Sequence, residues 1–189
     1  MLTQIANEAK NTIVSVVKGT DDVVSSLRNA VKDQVVGGLK DVEDVTTASL
    51  DLVADVVTGA VSGAAEIGAE ITEVARHSVS SAISGVAQVG GDTLSAAQKA
   101  AVGAIKGTAE VGGDVGSVAV AALEGAIKTS GELGKDTAET TKTVTVAMID
   151  AADSIGSEAG GAVRKALLNA VSLPHDMIEA AIKGKDGVQ

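Results

Sequence analysis

Along most of this chain, apolar and small residues recur at steps of three and four. That is the spacing of one helix face; a strand would alternate by two. The pattern itself repeats. Segments beginning at Gly59, Ser81, Gly103 and Gly125 align without insertion, each 22 residues after the last. The frame extends back to copies at Ser15 and Gly37, forward to Ala147, and to a degraded copy at Asn169. The third column of this alignment reads Val17, Leu39, Val61, Ile83, Ile105, Ile127, Ile149 and Val171. The ninth reads Val23, Val45, Ile67, Val89, Val111, Leu133, Ile155 and Met177. These two aliphatic columns predict a long apolar face.

Each unit divides into two looser 11-residue halves. Eleven residues in three turns is about 3.67 per turn, close to the natural 3.6, so the face stays nearly straight along the helix. The predicted fold is all-α, made of extended amphipathic helices from this 22-residue repeat. It takes the form of one long helix or helical hairpin, or of an elongated helical array. A single unbroken helix would reach about 280 Å at 1.5 Å per residue. Residues 1–14 read as a helical lead-in, 15–168 as seven repeats, and 169–189 as the degraded eighth. In that last part Leu173-Pro174 breaks the helix, Asp176–Lys183 forms a short final one, and Gly184–Gln189 frays.

Glycine complicates the picture, since each one inside a helix costs roughly 1 kcal/mol against alanine. The tenth column holds Gly68, Gly90, Gly112, Gly134 and Gly156, and the fifth holds Gly19, Gly63, Gly85 and Gly107. Three readings stay open. Glycine allows close approach of another helix or surface. Glycine weakens the helix so that it forms only on binding. Or Gly90-Gly91-Asp92 and Gly112-Gly113-Asp114 are turns, in which Gly ends one helix and Asp caps the next.

Composition narrows the function. The chain has 189 residues and no Phe, Tyr, Trp or Cys. Without aromatic side chains, which bury the most area per residue, a deep rigid pocket is not expected. Apolar residues nevertheless make up 45% of the chain, too many for a solvated linker. The net charge of −10 is spread along the sequence with no basic patch. That argues against nucleic acid and against strong attraction to anionic lipid. The N-terminus lacks the basic start and apolar run of a signal peptide, and no stretch is apolar enough for a transmembrane helix. A cytoplasmic protein, peripheral at a membrane or granule surface, is the expectation.

Catalytic chemistry has no visible foothold. His77 and His175 are far apart, no His/carboxylate set has metal-ligand spacing, and no phosphate-loop, dinucleotide or nucleophile-elbow motif occurs. No enzyme activity, cofactor, metal or small-molecule substrate is expected. Lys18, Lys40, Lys106 and Lys128 in column four, with Asp22, Asp44, Glu66, Glu110 and Glu132 in column eight, read as a solvated face.

The stretch Gly103–Asp136, with Ile105-Lys106-Gly107-Thr108-Ala109-Glu110 and Ile127-Lys128-Thr129-Ser130-Gly131-Glu132, resembles the 11-residue repeats of synucleins. It is similar in kind to the repeats of perilipins and exchangeable apolipoproteins, and more distantly to phasins. The resemblance implies a helix lying flat on a lipid or granule surface. The chain departs from those families in being acidic, in lacking paired lysines beside the apolar face, and in lacking aromatic anchors. The expected partner is therefore a lipid or hydrophobic granule surface. The alternative is the chain itself, as a homo-oligomeric bundle or filament.

Overall fold

The computed structural model describes residues 2–17, 23–40 and 50–187. Among the described residues are nine helices: α1 (Leu2–Val17), α2 (Val23–Leu39), α3 (Asp51–Glu66), α4 (Ile71–Gln88), α5 (Thr93–Glu110), α6 (Val115–Glu132), α7 (Thr137–Ile155), α8 (Ser157–Asn169) and α9 (His175–Asp186). The single long helix is thereby excluded.

What divides the chain is the turn chemistry at columns nine to twelve. Ile67, Val89, Val111 and Leu133 are the C-caps of α3 to α6, and the next residue in each case is a glycine with φ between 68° and 76°. That left-handed conformation disfavours any side chain with a Cβ. It also lets the following amide close the helix end, as when Gly91 N–H donates to the Val86 carbonyl at 3.0 Å and Gly113 N–H to Thr108 at 2.9 Å. Two residues beyond Gly90, Gly112 and Gly134 an aspartate caps the next helix, whereas Glu70 after Gly68 makes no side-chain cap. Asp92, Asp114 and Asp136 each accept hydrogen bonds from the second and third amides of the helix that follows. Ser95 and Ser117 hydroxyls, donating at 2.6 Å, hold the Asp92 and Asp114 carboxyls below the ordinary carboxylate range. Thus the turn reading accounts for Gly68, Gly90, Gly112 and Gly134. Gly156 differs: its backbone is extended, and α7 passes through this one residue into α8.

The helices form two rows. Odd-numbered helices pack in the order α1, α3, α5, α7, α9, even-numbered ones in the order α2, α4, α6, α8, and consecutive helices join the rows. Neighbours within a row run parallel, as seen where Thr58 hydroxyl donates to the Gly103 carbonyl (3.1 Å) and Ser62 hydroxyl to Glu110 (3.4 Å). The core between the rows is Ala, Val, Ile and Leu, with one buried methionine, Met148.

Rows of such small side chains close up because glycine lets backbones nearly touch. A Cβ on Gly103 would lie 2.3 Å from the Ala54 carbonyl oxygen, on Gly59 2.4 Å from that of Ala6, and on Gly125 2.6 Å from that of Arg76. In the fifth column, Gly63 and Gly85 seat the side chains of Val14 and Val35, which a Cβ would meet at 3.2 and 3.1 Å. Close approach and turn are therefore both present, at different columns.

At the C-terminal end, Pro174 caps α9 as expected for a break there. The last helix extends past the predicted Lys183, through Gly184 to Asp186, rather than fraying at that glycine. Asp153 of α7 fastens this end: it accepts from Arg164 of α8 at 2.7 and 2.9 Å and from Lys185 of α9 at 2.7 Å. Those two cations hold its carboxyl far below the usual range.

Candidate functional site

The apolar face predicted from the repeat lies mostly inside the protein. In column three, Leu39, Val61, Ile83, Ile105 and Ile149 are buried and Ile127 is half-buried. Column nine does not continue the face. Ile67 and Val89 are half-buried, and Val111, Leu133 and Ile155 are exposed. The reason is local: column nine coincides with helix ends, so its side chains sit at the rim, while the body of each helix supplies the core. Val17 and Val23 lie in α1 and α2 with side chains outside the described residues, and Val45 is outside them altogether.

The core is completed by small residues at other columns. Ala60, Ala82, Ala104 and Ala126 in column two, and Val53, Ala75, Ala97 and Ala119 in column seventeen, are essentially inaccessible. Their three-and-four spacing was visible in the sequence. Their dominance over column nine was not, because it depends on where each helix stops.

The even row carries a second feature on its outer face. Ser80, Ser81 and Ser84 put short side chains on α4, between α2 and α6, and leave a cleft of about 310 Å³. Arg28 and Lys32 of α2 stand on one side, and Lys128 and Glu132 of α6 on the other. The Ser80 hydroxyl donates to the Gly125 carbonyl (3.3 Å) and that of Ser84 to the Ser80 carbonyl (2.9 Å), so both serine protons are already committed.

Next to the cleft a polar chain crosses the row. Arg28 donates from Nε to His77 Nδ1 at 3.0 Å. His77 Nε2 faces Glu73 at 3.4 Å, and Arg76 bridges Glu73 and Glu124 at 2.7 Å each. Burial, reinforced by the Arg28 guanidinium, pushes the His77 imidazole below its ordinary value and favours the neutral ring that can accept from Arg28. His77 is thus a half-buried link between α2 and α4.

Sequence reading missed the cation cluster. Arg28 and Lys32 belong to one helix turn, but Lys128 joins them only because α2, α4 and α6 stand side by side. Elsewhere no catalytic constellation emerges: among the described residues, no group of three His, Asp or Glu side chains could share a metal ion. No described helix is long and apolar enough to cross a membrane. No protein-family model matches the chain, and no curated protein matches it significantly.

Proposed function

We propose that this protein is a non-catalytic store of amphipathic helices that opens to coat a lipid or hydrophobic granule surface. One observation carries the reading: in the body of each central helix the apolar stripe is mostly small and aliphatic, without aromatic side chains, and is packed against other helices. Lipid tails are as apolar as such side chains. Contacts among helices can therefore be exchanged for contacts with a surface, while each helix keeps its internal hydrogen bonds and lies in the interface. The glycine turns serve as hinges for that exchange. Small side chains make the closed form inexpensive to open, because burial energy scales with apolar area.

Self-assembly is the second reading, and the outer helices weigh against its simplest form. The α1 face carries exposed Asn7, Glu8, Asn11 and Ser15, and the α9 face carries exposed Asp176, Glu179 and Lys183. Stacking ends would bury these polar groups. Filaments would have to form by exchange of helices between copies.

A disulfide lock tests the opening. A Cβ on Gly85 would lie 3.2 Å from that of Val35, and one on Gly116 would lie 3.1 Å from that of Ala166. Both pairs need to widen only slightly to reach the roughly 3.5–4.5 Å of a disulfide. The native chain has no cysteine to interfere. In flotation with phosphatidylcholine vesicles or oil emulsions, the wild type and the reduced Val35→Cys/Gly85→Cys and Gly116→Cys/Ala166→Cys variants should bind. The oxidised forms should bind much less. Failure of the wild type to float with any neutral surface would overturn surface coating. Equal flotation of the oxidised forms would overturn opening.

A further inference from the structure

The cleft on the even row concentrates positive charge on a chain whose net charge is −10. Three cations line it, against the single carboxylate of Glu132. None of the three is well neutralised. Arg28 spends its contact on His77 Nδ1, an uncharged acceptor, and its guanidinium has further N–H groups to offer. Lys128 approaches Glu132 only at 3.9 Å, with both side chains largely solvated. Lys32 has no ion-pair partner among the described residues.

Like charges gathered in a concave site raise one another's energy, and low-dielectric walls focus the field instead of dispersing it. An arrangement serving only to hold α2, α4 and α6 together would place carboxylates opposite these cations, as happens one turn away where Arg76 meets Glu73 and Glu124. The serine floor supplies room and no competing charge. Ser80 and Ser84 have their protons on backbone carbonyls, and the charged donors at the cleft are Arg28, Lys32 and Lys128. A guanidinium fork beside two ammonium groups suits a tetrahedral oxyanion of charge near −2.

We propose that this cleft binds a phosphate group, either free as phosphate or a small phosphate monoester, or borne by a lipid headgroup. The proposal does not rest on the opening of the bundle: the cleft needs α2, α4 and α6 packed together, so phosphate binding by the closed protein tests it apart from surface coating.

The full-length protein should be titrated with inorganic phosphate at low ionic strength by calorimetry and phosphorus NMR. In parallel, flotation should compare phosphatidylcholine vesicles with and without phosphatidic acid. Saturable phosphate binding that weakens at least about tenfold in Lys32→Gln/Lys128→Gln, as loss of charge-assisted contacts requires, would establish a site for the free anion. Lys106→Gln, away from the cleft, should bind as the wild type does. No binding of free phosphate, with stronger flotation on vesicles that contain phosphatidic acid than on phosphatidylcholine alone and that excess lost in the same double variant, would assign the headgroup. Circular dichroism checks that the helices persist; should the double variant unfold, Arg28→Gln is measured against the same two ligands. The proposal fails if the wild type neither binds inorganic phosphate nor floats better with phosphatidic acid than without it. It fails equally if a folded double variant, or folded Arg28→Gln in its place, binds with undiminished affinity.

Discussion

At the scale of single residues, glycine does two unrelated things here, and substitution separates them. Gly112 has φ 69° and open space where a Cβ would go, so its cost of replacement is conformational. Gly112→Ala should lower stability by about 1–2 kcal/mol, the penalty for an alanine in the left-handed region. Gly103→Ala should do more damage by a different route, since its Cβ would meet the Ala54 carbonyl and force α3 and α5 apart. Gly156→Ala should be close to neutral, because its backbone is extended and nothing lies within 4 Å of the added carbon. Urea unfolding of the three variants checks the ranking; an equal loss at Gly112 and Gly156 would contradict the distinction. In the sequence Gly112 and Gly156 share a column and look alike. What differs is the backbone: Gly112 is left-handed, whereas Gly156 is extended, and the acid two residues on does not decide it, since Glu70 follows left-handed Gly68 and makes no side-chain cap either.

Between elements, the packing of α2 on α4 includes a pH-sensitive contact. His77 is packed among Arg28 of α2 and Glu73 and Arg76 of its own helix, and its folded pKa is lowered, chiefly by burial. Because the unfolded chain then takes up a proton more readily, this contact supports the fold above the unfolded value near 6.5 and loses that support as pH falls through the folded value. A proton on Nδ1 would also confront the Arg28 guanidinium. Stability should therefore decline from pH 7 to pH 5 more in the wild type than in His77→Gln, as thermal melts across that range would report. An unchanged slope in His77→Gln would remove His77 as the source. The helix itself was legible from its apolar spacing. The role of His77 was not, because Arg28 lies 49 positions away and approaches only through parallel packing within the even row.

For the whole molecule, polar outer faces on α1 and α9 predict a monomer in the absence of a surface, and light scattering of the isolated protein should return the 18.5 kDa of one chain. A large scattering mass would instead favour helix exchange between copies. Sequence by itself determined that the chain is helical and which columns are apolar, and it offered glycine and aspartate as turns among three open readings. These follow from local backbone sterics, hydrogen-bond capping and a spacing that a single helix imposes. Tertiary structure decided what that apolar face meets. A repeat of small aliphatic residues is equally compatible with lipid, another copy or its own neighbours, since the hydrophobic effect is non-directional and does not specify a partner. The left-handed glycine turns fold α4, α5, α6 and α7 each back on the helix before, and the close glycine contacts let parallel helices seat against each other. Together they bury most of column three, leave column nine at the rim, and bring Arg28, Lys32 and Lys128 to one cleft. Such long-range juxtapositions arise only when the rows assemble, because no local interaction along the chain encodes them.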